Sequence, residues 1–129
     1  MNTYLAGAGA LAFFVGLAHS MLGEILIFRR MRIDGVIPTN GGKVIGERHV
    51  RILWASWHVL TVFGWQIAFT LIWLSASSVQ TKSETALLTT IEIALLAGSL
   101  LVLVGTKARH PGWAGLLGVA LLTWLGQGA

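Results

Sequence analysis

Arg48-His49-Val50-Arg51-Ile52-Leu53-Trp54-Ala55-Ser56-Trp57-His58-Val59-Leu60-Thr61-Val62-Phe63-Gly64-Trp65, running on to Trp73, is the stretch whose reading decides the fold. It opens as a basic segment and continues as an apolar one. No charged residue occurs from position 52 through 81, and residues 52–74 supply 23 largely apolar positions. At 1.5 Å per residue that is enough to cross a hydrocarbon core about 30 Å thick. The stretch reads as a transmembrane helix with a histidine, His58, inside it.

Composition points the same way. A chain of 129 residues with 55% hydrophobic side chains, 11% charged ones and a mean hydropathy of +0.76 has more apolar surface than one soluble domain can bury. The expectation is an all-α integral membrane protein forming one transmembrane domain over residues 1–129, with the lipid bilayer as its first partner. The net charge of +4 and pI near 10.4 would suit a nucleic-acid binder. The positions of the basic residues argue instead for topology signals and head-group contacts, and no nucleic-acid partner is expected. With no cysteine, disulfides, thiolate metal sites, lipoprotein anchors and thiol redox chemistry are excluded.

Outward from the central stretch, the chain divides into four apolar spans. The first covers about residues 5–28; Met1-Asn2-Thr3-Tyr4 carries no Lys or Arg, so it is not read as a cleavable signal peptide. Arg29-Arg30-Met31-Arg32 stops it, and Asp34-Gly35, Pro38 and Asn40-Gly41-Gly42 mark a loop. The second span is 52–74, the polar connection 75–84 holds a single basic residue, Lys82, and the third span is 85–106. After Lys107-Ala108-Arg109-His110-Pro111-Gly112 the fourth, about 112–127, is near 25 Å long and is expected to stand upright or be met by local thinning. Eight of the nine Lys and Arg residues flank the first and third connections. The positive-inside rule therefore places the basic loop 29–51 and the third loop in the cytoplasm, and both termini outside.

This four-transmembrane-helix bundle lets distant residues be compared by depth. His19 on the first helix lies about 5 Å, and His58 on the second about 7 Å, to the cytoplasmic side of centre. Glu24 lies one to two turns further, and Glu47, His49, Arg51 and His110 ring the same mouth, while Glu92 falls slightly to the outer side. Arg51, Trp54, His58, Thr61 and Trp65 follow a 3-4-3-4 spacing and form one stripe. Ala8, Ala12, Gly16, Ser20 and Glu24 make a ladder on the first helix, whose small members allow close approach of another backbone. Trp73, Trp113 and Trp124 read as interface anchors. Arg51 is explained by snorkelling, Glu24 by pairing with it or with an Arg of the first loop, and Glu92 by bonding to Thr89 or Ser99.

Ionisable groups at such depth are functional candidates. His19 and His58 could supply both axial nitrogens of a b-type haem, with Trp54, Trp57, Phe13 and Phe14 shaping an apolar slot. Alternatively His19, Glu24, His58 and His110 form a three-nitrogen, one-oxygen set suited to zinc, copper(II) or non-haem iron, with Glu47 and His49 in reserve. A third option is a proton or ion path through a small oligomer, using the histidines, Glu24 and Glu92. No HExxH, ExxH, phosphate loop or nucleophile elbow occurs.

Leu17-Ala18-His19-Ser20-Met21-Leu22-Gly23-Glu24, Trp57-His58-Val59-Leu60-Thr61 with Trp65, and Arg109-His110-Pro111-Gly112-Trp113 resemble the signature blocks of a family of small bacterial four-helix inner-membrane proteins. The resemblance covers the chain in layout and some twenty residues in motif. It implies four spans in a bacterial cytoplasmic membrane and draws attention to His19, Glu24, His58 and His110; it brings no activity with it. The functional expectation is therefore a membrane protein with a polar His/Glu site binding a metal ion or haem. The rival from another class is an accessory or assembly subunit of a larger membrane complex, without its own cofactor.

Overall fold

The computed structural model describes residues 1–77 and 81–128, and among these the chain is all-helical. There are four α-helices: α1 (Thr3–Leu26), α2 (Glu47–Ser75), α3 (Lys82–Gly105) and α4 (Gly112–Gln127). A short 3-10 turn, Phe28–Met31, follows α1. Three helical segments, α1 with its turn, α2 and α3, are long and apolar enough to cross a membrane; α4 is a shorter apolar helix. Residues 78–80 of the expected polar connection lie outside the described residues.

Local chemistry sets the helix ends. α2 begins at Glu47, five residues before the apolar run, because Glu47 and Arg51 form an i,i+4 ion pair that carries the helix through polar territory. α3 begins in a capping box: the Thr81 hydroxyl accepts from the Glu84 N–H, and the Glu84 carboxylate accepts from the Thr81 N–H at 2.7 Å. It ends in a turn where Lys107 and Ala108 adopt positive φ (52° and 61°), an uncommon conformation for residues with a Cβ. The Ala108 N–H bonds back to the Leu103 carbonyl at 2.7 Å, which satisfies an end carbonyl of α3. Pro111, lacking an N–H, then precedes α4.

The chain divides into two compact units. Residues 1–15 and 64–129 form the first, residues 16–63 the second. In the first unit Leu5, Ala8 and Ala12 of α1, Ala68, Leu71 and Leu74 of α2, Leu88, Ile91 and Leu95 of α3, and Val119 and Ala120 of α4 build one core. α1, α2 and α3 each contribute a stripe at three- and four-residue spacing, and on α4 the buried Val119, Thr123 and Gly126 keep the same spacing. Gly9 permits a close approach of two backbones: a Cβ there would meet the Ala68 carbonyl at 2.7 Å and Ile72 Cγ1 at 2.6 Å. The buried hydroxyls of this unit are satisfied locally, Thr123 on the Val119 carbonyl and Ser75 on that of Ile72, or between helices, Ser99 on that of Trp113.

The outward faces are apolar as well: Leu101 is 74% exposed, Val104 67% and Phe69 66%. Contiguous apolar surface on this scale belongs against lipid or another protein. In the second unit the two helix segments are joined by a loop held by bonds from the Thr39 and Asn40 N–H groups to the Met31 carbonyl (3.0 and 2.8 Å). Gly35 and Gly42 take positive φ there, where any other residue would be strained.

If the outer faces meet lipid, burying Leu71 gains packing but little transfer energy, because lipid is as apolar as the core. Leu71→Ala should then cost stability at the low end of the ~2–5 kcal/mol range for buried leucines. Leu101→Ala should stay within about 0.5 kcal/mol of the parent. Reversible unfolding of both variants in mixed micelles measures the difference.

Candidate functional site

The polar residues singled out on α1 and α2 come together inside the second unit. Ser20 and Glu24 are four apart on α1, and Trp54 and His58 four apart on α2, so each pair lies along one helix face. Because the two segments run antiparallel, a step of four forward on α1 matches a step of four back on α2. Ser20 thus meets His58 and Glu24 meets Trp54. Ser20 Oγ lies 2.5 Å from His58 Nδ1, and Trp54 Nε1 donates to Glu24 Oε2 at 3.4 Å. Glu24 Oε2 is also 3.6 Å from His58 Nε2.

A second row runs beside the first. The His19 imidazole stacks on the Trp57 indole, 4.2 Å between centroids and 8° from parallel, and Trp57 Nε1 donates to the His19 carbonyl at 3.0 Å. The indole lies over Gly23, where an added Cβ would overlap it. Phe28, buried in the 3-10 turn, packs edge-on against Trp57 at 5.7 Å and lies 6.1 Å from His58. The same turn returns the chain so that Arg32 forms an ion pair with Glu24 Oε1. Arg32, Glu24 and His58 retain only 24–29% of their side-chain exposure, so their charges are partly shielded from solvent.

Two atoms of the centre stand out. His58 Nε2 and Thr61 Oγ1 are buried without a hydrogen-bond partner among the described residues. The 3.6 Å from Nε2 to Glu24 is too long for a hydrogen bond. Whichever way the Ser20–His58 proton is placed, a bare or protonated ring nitrogen faces a carboxylate across that gap.

Of the residues expected at the site, His19, Glu24, Trp54, Trp57 and His58 share this unit. His110 belongs to the other unit, where its Nδ1 accepts from the Gly112 N–H at 3.0 Å and so caps the start of α4. Among the described residues, no group of three or more His, Asp or Glu side chains is placed to hold one metal ion. Both indoles of the envisaged haem slot are engaged, Trp57 by Gly23 and His19, Trp54 by Glu24. Glu47 pairs with Arg51. Glu92, expected to bond Thr89 or Ser99, instead accepts from Gln127 Nε2 at 2.9 Å. Phe28 had no sequence signal beyond its place at the end of an apolar run; Arg32 is one of the several arginines of the first loop that the sequence offers to Glu24.

Gly23→Ala should displace the Trp57 indole and destabilise the protein by about 1–3 kcal/mol, as overpacking does. Gly7→Ala, where an added Cβ finds only Leu122 Cδ1 at 4.0 Å, should be tolerated. Near-ultraviolet circular dichroism with thermal unfolding reads both effects. Comparison of the chain with known protein families, with curated proteins and with solved structures finds no match, so the functional reading rests on this geometry.

Proposed function

We propose that this is a multi-pass protein of a bacterial inner membrane that binds a transition-metal ion between His58 and Glu24. The observation that carries the reading is the buried, unpartnered Nε2 of His58, 3.6 Å from Glu24 Oε2. Two ligand atoms on one tetrahedral ion, each bonded at 2.0–2.1 Å, lie about 3.3 Å apart, close to this separation. Ser20 on Nδ1 supplies the outer partner that metal-binding histidines use to fix the ring and present the other nitrogen. Imidazole nitrogen and carboxylate oxygen suit zinc, copper(II) or iron(II). Two protein ligands leave positions for water or a small ligand, which fits metal handling better than a closed structural site. A haem between His19 and His58 has less support, since Trp57 covers one face of His19 and Ser20 holds His58.

Arg32 competes with such an ion. Its guanidinium already neutralises Glu24 and would repel a dication placed beside Oε2. Metal binding to the detergent-purified protein, followed by equilibrium dialysis and elemental analysis with zinc, copper and iron, should be lost in His58→Ala and Glu24→Gln. Arg32→Gln should bind metal at least tenfold more tightly than the parent. Retention of metal by both ligand variants, or weaker binding by Arg32→Gln, would overturn the proposal and favour an accessory subunit without a cofactor.

In the proposed topology the basic loop 29–51 faces the cytoplasm and both termini lie outside. The absence of cysteine makes the chain a clean background for single-cysteine labelling. In intact cells Lys43→Cys should resist a membrane-impermeant maleimide while Ser83→Cys reacts; the opposite pattern inverts the topology.

A further inference from the structure

In the unit formed by residues 1–15 and 64–129, α3 has 24 residues and α4 only 16, and their short connection starts them at one level. At 1.5 Å per residue α3 therefore outreaches α4 by about 12 Å. Where α4 stops, a recess of about 720 Å3 is lined by Tyr4, Thr89, Glu92, Trp124, Leu125 and Gln127. Glu92 Oε2 accepts from Gln127 Nε2 at 2.9 Å, and Gln127 Oε1 accepts from the Thr89 hydroxyl at 3.1 Å. Among the described residues no cationic side chain pairs with Glu92; the recorded ion pairs are Arg32–Glu24, Arg51–Glu47 and the His58–Glu24 contact. Lys82 lies ten residues earlier on the same helix, about 15 Å along its axis.

Three features of the recess favour one sign of charge. A carboxylate amid apolar surface calls for a proton or a countercharge. The last turn of α4 ends here with the negative end of its dipole. Tyr4 and Trp124, 43% and 58% exposed, offer aromatic faces of the kind that attract cations. We propose that the recess binds a monovalent organic cation with an ammonium head, primary or quaternary, seated against Glu92 with its apolar part along Trp124 and Leu125. Such a head reaches the site on a water-soluble amine or on an aminophospholipid. The site is separate from the His58–Glu24 centre and does not depend on that reading.

Calorimetric titration of the full chain in a neutral maltoside detergent, with choline and its uncharged isostere 3,3-dimethylbutan-1-ol, tests the soluble source. Native mass spectrometry after incubation with phosphatidylethanolamine or phosphatidylglycerol tests the lipid one. At least one ammonium compound should bind tenfold or more tightly than its comparator. Glu92→Gln, which keeps an amide able to bond Gln127, should lower that affinity at least tenfold, and Trp124→Leu, at an exposed position, several-fold. The proposal is overturned if neither choline nor phosphatidylethanolamine outcompetes its comparator, or if Glu92→Gln binds as the parent does with unchanged thermal stability.

Discussion

The contact between the Trp57 indole and Gly23 governs the second unit. An indole can lie against a helix backbone only where that helix presents no side chain, and Gly23 supplies that place. With the two segments this close, the Trp57 N–H reaches the His19 carbonyl, its ring covers the His19 imidazole, and the neighbouring row falls within hydrogen-bond range. A wider spacing would part Ser20 from His58 and Glu24 from Trp54 together. The polar centre is thus a consequence of a packing fit between a very large residue and the smallest one. Its charges are arranged afterwards by the 3-10 turn that brings Arg32 back.

The first unit is organised differently. Its core is made of leucines, alanines and other small or medium residues, and its outer faces carry many exposed apolar side chains. Such a structure cannot be held together by withdrawing apolar surface from water if its surroundings are hydrocarbon. Fit and internally satisfied hydroxyls must do more of that work, as at Gly9 against Ala68 and at Ser99 on the Trp113 carbonyl. Two strategies therefore meet in one chain, small-residue packing in one unit and an aromatic-capped polar network in the other.

Much of this was legible in the chain because the signals were periodic. The charge-free run after Arg51 announced a long apolar helix, and the spacing of Trp54, His58 and Thr61 put three members of the centre on one stripe. Reading the first two helices as antiparallel brought His19 and His58 to one depth, and the structure places both in one network. What could not be read were contacts set by irregular backbone. The return of Arg32 depends on a turn whose sequence, Phe28-Arg29-Arg30-Met31, carries no turn signature. The bond from Gln127 to Glu92 depends on the register of α4 against α3, which the left-handed Lys107 and Ala108 set. Neither residue advertises that conformation as glycine would. His110, a candidate fourth ligand by its place in the third connection, has its Nδ1 on the Gly112 N–H, a contact across two residues that no periodic pattern announces.

The bond from Asn2 Nδ2 to the Gly126 carbonyl joins residues 124 positions apart, and the Asn2 N–H also bonds the Ser75 carbonyl. On a ribosome adding roughly 5–20 residues per second, Asn2 leaves first and its partner several seconds later. Throughout that interval the start of α1 has Ser75 at best and lacks α4 altogether. The α3–α4 pair, closed by a short connection, can form locally as soon as it is made. Although α1 is made before α2, α3 and α4, it is therefore the last of the four to be completed, and a chain stalled before α4 would leave Asn2 and Leu5 without the surface that Gly126 offers them.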